Sequence, residues 1–216
     1  MFDTRFTEPI YTIAQAARYL GIKPTTFRYW ANKPSLLTVG TPETPKSPSL
    51  PFAALVEAQL FIVFRELGLS LQAITSGMIA VRQELGLELL KKGRLGTDGK
   101  DILIDYATEK NDAEWIRVKD KQIAIPKIID EVLQLIRWAS DDYPQSIKLK
   151  VYEYADIVAD PRIAYGQPVI EGTRTRVMDV VSLFKAGETL DVVAQEFQID
   201  EVAVLDMIRH YVDLAA

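Results

Sequence analysis

A mainly α-helical fold with small β elements is predicted for this chain, on three observations. Residues 12–32, TIAQAARYLGIKPTTFRYWAN, read as two short helices around a glycine turn. Ala194, Gln198, Ile199 and Val204 repeat the spacing of that frame near the C-terminus. The clearest β-patterned runs are short and lie in the middle section. The chain has 216 residues with 48% hydrophobic content, enough for a well-formed core divided among two or three small domains. The expected division is an N-terminal winged helix-turn-helix over 1–92, a small mixed α/β linker domain over 93–155, and a helical domain over 156–216 that closes on the second frame.

The first frame is justified residue by residue. Thr12 and Gln15 have capping-box spacing, so a helix starts at Ile13. Gly21 stops it, because glycine takes the left-handed conformation without a Cβ penalty. Pro24 suits the first position of the next helix, where its missing N–H costs nothing. Ala16, Ala17, Leu20, Ile22, Phe27 and Trp30 form the expected interior, leaving Lys23, Thr25, Thr26, Arg28 and Tyr29 on or near the outer side. A helix-turn-helix needs a small residue where its helices touch, a glycine at the turn and a large apolar residue in the second helix. Ala17, Gly21 and Phe27 supply all three.

Between Lys33 and Pro51 lie Pro34, Pro42, Pro45 and Pro48 with Gly40 and Lys46, which no helix can accommodate. Two readings stand: a two-strand wing pairing residues 36–39 with 50–52, or an irregular surface loop. Helices are expected over 52–64 and 71–85, separated by Gly68 and an N-cap at Ser70.

Hairpin, wing, long helix and the segment FRELGLSLQAI together resemble the DNA-binding domain of MerR-type regulators. The matching positions are Arg65, Leu67, Gly68, Leu69, Ser70, Leu71 and Ile74. The resemblance implies that Thr25, Thr26 and Arg28 face the major groove. Tyr29 would meet phosphate, Lys46 would sit at the wing tip, and Lys23 and Lys33 would join the DNA-binding set. The chain lacks the usual arginine pair of the wing and the long dimerising helix, so dimerisation must come from elsewhere.

In the middle, residues 96–101 form a turn cluster. Residues 102–104 and 115–118 read as a short hairpin, 126–139 as a helix with Ile136 inside, and 147–151 as a strand with Lys148 and Lys150 on its solvated face. The last section carries RIAYGQPVIEGTRTRV, with the spacing G-x-P-x-I-x-G-T-R at Gly166, Pro168, Ile170, Gly172, Thr173 and Arg174. It predicts a rigid turn, a two- or three-residue strand, and a second turn into a helix near Val177. A phosphate loop is the weaker reading, since the lysine of such loops is missing. The structural reading has glycines at special backbone angles and Arg174 tying a loop to carbonyls or a carboxylate.

The second frame places Ala194, Gln198, Ile199 and Val204 where the first has Ala17, Gly21, Ile22 and Phe27. Its outer positions are read as Asp200, Glu201, Ala203 and Asp206, whose carboxylates would repel phosphate. It is therefore expected to contact protein, with Val180, Phe184, Ile208 and Tyr211 at a dimer or partner seam. The combination of domains resembles an atypical VapB-type antitoxin. That resemblance implies a protein that binds double-stranded operator DNA, represses its own operon and neutralises a cognate VapC-type toxin, a PIN-domain ribonuclease. A homodimer is expected because one hairpin reads few bases and a dimer reads two half-sites.

Charge agrees with this division of labour. The net charge of −5 hides a gradient: residues 1–92 hold ten basic against seven acidic residues, net +3, and residues 156–216 hold five against eleven, net −6. The absence of cysteine excludes thiol catalysis and cysteine-based zinc sites. The N-terminus lacks signal-peptide order, and the longest apolar run is broken by Glu57, Arg65 and Glu66. A cytoplasmic location away from membranes is expected. A second function class, a MerR-like regulator answering a small ligand, would use Trp115, Tyr106 or Trp138 to line a pocket. A third, an enzyme, would need Asp156, Asp160 and Glu171 on a metal or His210 as base. Neither set has ligand spacing or a nucleophile partner, so no catalytic residue, metal or cofactor is expected.

Overall fold

The computed structural model describes residues 3–44, 47–97, 100–105, 115–117 and 134–212. A short helix α1 (Thr4–Thr7) precedes the hairpin of α2 (Ile13–Tyr19) and α3 (Pro24–Ala31). Next come α4 (Phe52–Glu66) and α5 (Leu71–Leu85), then a 3-10 turn at Gly86–Leu90. A three-stranded antiparallel sheet follows: β1 (Leu95–Thr97), β2 (Ile102–Asp105) and β3 (Trp115–Arg117), in that order. A second antiparallel sheet runs β4 (Ile136–Trp138), β5 (Pro144–Lys148), β6 (Ile157–Ala159) and β7 (Val169–Ile170). The C-terminal helices are α6 (Val177–Lys185), α7 (Leu190–Phe197) and α8 (Glu201–Val212).

The core is built around α4, which is apolar on nearly every side and correspondingly buried from Phe52 to Leu60. Trp30 stacks on Phe61 with ring centroids 5.2 Å apart, fastening the hairpin to this helix. The Arg65–Ile74 segment is a built turn. Arg65 Nη1 donates to the Leu69 carbonyl at 2.6 Å, and Gly68 takes φ +92°. Leu69 and Ile74 are buried, and the Ser70 hydroxyl caps α5 by accepting from Ala73 N.

The expected two-strand wing is not formed over 36–39 and 50–52. Leu36 and Leu37 lie in a turn and a bend, and both are buried. Leu50 bridges instead to Tyr11, and Phe52 already begins α4. Gly40 N donates to Ser49 O at 2.7 Å, linking the two arms of the segment.

The middle section also departs from expectation. Of the helix read over 126–139, residues 126–133 lie outside the described residues. Ile136–Trp138 is strand β4, with Ile136 inward and Arg137 outward. Gly96 and Thr97 belong to β1 and not to the turn. The strand read over 147–151 is shifted to Pro144–Lys148, and the chain turns after Leu149. The hairpin of β2 and β3 forms with Leu103 opposite Arg117. Because β5 pairs with β6, the boundary drawn at 155/156 falls between hydrogen-bonded strands of one sheet.

The GTR stretch folds into a tight reversal between β7 and α6. Gly166 and Gly172 take φ +72° and +78°. Ile170 N donates to Thr175 O at 2.9 Å, and Val177 N to Pro168 O at 2.9 Å. Thr173 ties the loop, its hydroxyl donating to the Ile170 carbonyl at 2.9 Å. Arg174 does not: it is exposed and has no partner among the described residues.

Candidate nucleic-acid interface

The hairpin presents α3 as a surface element. The capping box closes as its sequence requires, with Gln15 N to Thr12 Oγ1 at 3.2 Å and Thr12 N to Gln15 Oε1 at 2.9 Å. Gly21 takes φ +65°, and a Cβ there would stand 2.5 Å from Val151 Cγ1. Glycine is thus required by the turn and by the loop that crosses it. Phe27 and Trp30 turn inward, whereas Lys23, Thr25, Arg28 and Tyr29 are exposed. Thr26 is half-buried at the edge of the face.

The cations of this face differ from the ion-paired arginines elsewhere in the chain. Several other arginines engage carboxylates: Arg5 with Asp3 and Asp141, Arg82 with Glu57, Arg137 with Glu171, Arg162 with Asp160 and Arg176 with Asp179. Lys23, Arg28 and Lys33 have no carboxylate partner among the described residues. Lys33 Nζ lies 5.0 Å over the Tyr29 ring, which is 49% exposed, so the cation is held at the surface without being neutralised. Lys23 is the N-cap of α3, where the helix dipole adds positive potential. Lys46 lies outside the described residues.

Behind α3 the chain is anchored by Glu57, a fully buried carboxylate on α4. It accepts from Thr38 N at 2.6 Å, Thr38 Oγ1 at 2.7 Å and Arg82 Nη2 at 2.5 Å. Burial pushes its carboxyl up, and the neighbouring Arg82 guanidinium and Thr38 donors oppose that rise. Nothing in the sequence flagged this cluster beyond one acid in an apolar run.

Residues 9–78 match the family described as "Putative DNA-binding HTH domain", which spans the hairpin, α4 and the start of α5. Residues 157–211 match "Protein of unknown function (DUF433)", which covers the GTR turn and the three C-terminal helices. The chain is 30% identical to "Putative antitoxin VapB45" of Mycobacterium tuberculosis over 99% of its own length and 97% of that protein. This chain belongs to the VapB45 family. The crystal structure of Rv2018 from Mycobacterium tuberculosis superposes with a TM-score of 0.70 at 28% identity, over 94% of this chain and 99% of that one.

This member of the VapB45 family carries a second helical frame, α7 and α8, that turns through Gln198 at φ +54°. The outer face is not the one read from sequence. Ala203 and Asp206 are buried. Asp206 accepts from the amides of Glu153 at 2.8 Å and Tyr154 at 3.0 Å, and His210 Nε2 lies 3.3 Å from its other oxygen. A carboxylate so placed holds a loop and faces no partner. Asp200 and Glu201 stay exposed.

One expected seam residue is drawn inward in the same way. Val180 is fully buried in the core, and Phe184, Ile208 and Tyr211 are partly buried against it. Among the described residues, the large apolar side chains that α8 exposes are Val202, at 51%, and Leu205, at 44%. Their i, i+3 spacing was the signal available in the sequence.

Beside the GTR turn lies a cleft of about 410 Å3, where Arg137, Arg162 and Arg174 come together with Asp160 and Glu171. Arg137 Nη2 meets Glu171 at 2.9 Å and Arg162 Nη2 meets Asp160 at 2.7 Å, so Arg174 alone of the three is uncommitted. Asp156 pairs with Lys148. Among the described residues no group of three or more His, Asp or Glu side chains could hold a metal ion. Nor is any described helix long and apolar enough to cross a membrane. Of the aromatics considered for a ligand pocket, Tyr106 and the side chain of Trp115 lie outside the described residues. Trp138 packs against the core.

Proposed function

We propose that this chain is the antitoxin of a toxin–antitoxin pair, that it binds operator DNA through α3, and that it represses its own operon. The carrying observation is the face of Lys23, Thr25, Arg28 and Tyr29. It is exposed, bears cations without carboxylate partners among the described residues, and lies on a hairpin within the matched DNA-binding domain. Neutralising phosphates supplies most of the affinity of such contacts, and unpaired cations do so without first breaking an ion pair. The order hairpin, long helix and Arg65–Ile74 turn supports a MerR-like mode, with α3 in the major groove. Thr25, Thr26 and Arg28 would then read bases, and Tyr29, Lys33 and Lys46 would hold the backbone.

The proposed toxin is a VapC-type PIN-domain ribonuclease, which the name of the relative supports. Its contact falls on the acidic C-terminal section, where charge complementarity to a nucleic-acid-binding enzyme speeds encounter. Phe184, Ile208 and Tyr211 retain part of their surface there, and Val202 and Leu205 retain more. A homodimer would place two copies of α3 about 34 Å apart on two half-sites.

The test is a gel shift on the DNA upstream of the coding region, titrated with salt and then with toxin from the adjacent reading frame. Specific binding that weakens steeply with salt is expected, together with a ternary or toxin-bound species. Binding that is absent or insensitive to salt contradicts the reading.

A further inference from the structure

A cavity of about 190 Å3 lies where the first hairpin meets the C-terminal helices. Its polar wall is Gln15, Arg18 and Tyr19 from α2, with Tyr152, Gln167 and Arg176 opposite. Arg18 is the unusual member. Its Nε is buried and has no hydrogen-bond partner among the described residues. The guanidinium carbon lies 5.1 Å from the centroid of the Tyr211 ring, and Lys185 Nζ lies 4.1 Å from the same centroid. Two cations thus share one ring, and neither has a carboxylate partner among the described residues.

The nearby carboxylates are committed elsewhere. Asp179 holds Arg176, and Asp206 holds the amides of Glu153 and Tyr154. The Tyr19 and Tyr152 hydroxyls also have no partner among the described residues. Burial pushes Tyr19 up to about 12 and Tyr152 higher still, so at neutral pH both remain O–H donors. A buried arginine N–H without an acceptor is costly, and native structures usually supply one. Here the cavity offers donors and positive charge but no anion of its own.

We propose that this cavity binds a small carboxylic acid with an apolar body. The carboxylate accepts from Arg18 and the tyrosine hydroxyls, in the charge-assisted geometry that arginine favours. The body rests on Pro168, Val177 and Met178. The volume is below the roughly 300–1,000 Å3 of drug-sized pockets, which limits the occupant to a single ring or a short chain. Because α2 packs on α3, the occupant joins the first hairpin to the residues that flank the GTR turn through one ligand.

The inference goes beyond the DNA-binding reading and is tested without DNA. Benzoate, benzamide and inorganic phosphate are titrated separately into the isotope-labelled full chain while the arginine Nε–H resonances are followed. A saturable shift of the Arg18 resonance with benzoate is expected. Affinity should be about tenfold weaker or less for benzamide, which keeps the ring without the charge, and for phosphate, which keeps the charge without the ring. Arg18→Gln should weaken benzoate at least about fivefold. Its stem is packed, so Tyr152→Phe, which keeps the ring and loses only the hydroxyl, serves as the second variant and should also weaken benzoate. No saturable benzoate binding, equal binding of either control ligand, or unchanged affinity in Tyr152→Phe overturns the proposal. A failed titration leaves the DNA-binding reading intact, and a failed gel shift leaves this one intact.

Discussion

The Tyr11 hydroxyl donates a buried hydrogen bond of 2.9 Å to the carbonyl of Gly166. It joins the residue before the first hairpin to the first glycine of the GTR turn, 155 positions along the chain. Gly166 takes φ +72°, and a Cβ there would stand 2.3 Å from the Tyr11 hydroxyl and 2.8 Å from Ile10 Cδ1. Backbone conformation and close approach therefore both demand glycine.

Gly166→Ala should destabilise the protein by about 2–4 kcal/mol, the sum of left-handed strain and overpacking. Tyr11→Phe should cost about 1–2 kcal/mol for the lost bond. In the double variant the closest clash is gone, so the combined loss should be smaller than the sum of the two. Urea denaturation of the three variants measures this coupling.

Arg82→Met leaves Glu57 buried without its cation and should cost about 3 kcal/mol. Adding Glu57→Gln removes the uncompensated charge while keeping an acceptor for Thr38 N, and should recover part of that loss. Denaturant midpoints of the single and double variants decide it; a double variant no more stable than Arg82→Met contradicts the role given to the pair.

Arg174→Ala should leave stability within about 0.5 kcal/mol of the parent, because the side chain is exposed and has no partner among the described residues. Thr173→Val, in contrast, removes the hydroxyl that donates to Ile170 O and should cost about 1 kcal/mol. Thermal unfolding of both variants tests whether Thr173 or Arg174 holds the turn.

Burial raises Tyr11, Tyr19 and Tyr152 above the ordinary phenol range, Tyr19 to about 12. A raised folded-state value means that the stability contributed by these protonated phenols is complete below pH 10 and is lost as pH rises toward 12. Tyrosinate absorbance should show these three ionising above the ordinary phenol range, with alkaline unfolding in that window. Tyr19→Phe should remove one late-titrating group.

The hairpin was legible because its signals are local: a capping box, a left-handed glycine, a proline at the first turn and apolar residues at helical spacing. The Arg65–Ile74 turn was legible for the same reason. The wing was not, since Leu36 and Leu37 enter the core side by side and Thr38 spends its polar groups on Glu57, a partner 19 residues away. The same blindness to distant partners hid Asp206. Its spacing marks an outer helix position, but two amides from the 153–154 loop draw it inward. For Arg174 the error ran the other way: residue type suggested a tie, and the adjacent threonine makes it.

Arg28→Ala should weaken operator binding by about tenfold and lower the salt slope by about one, with the fold intact by circular dichroism. Asp200→Ala should do neither, since a carboxylate there meets no phosphate.

The most direct test of the account is photo-crosslinking to the upstream DNA from a benzophenone side chain placed at Thr25 or, in a separate protein, at Leu205. Both positions are exposed, so either substitution should be tolerated. Crosslinking to DNA from Thr25 and none from Leu205 is expected. DNA captured by Leu205 while Thr25 remains unlinked would mean that the C-terminal frame, and not α3, meets the operator.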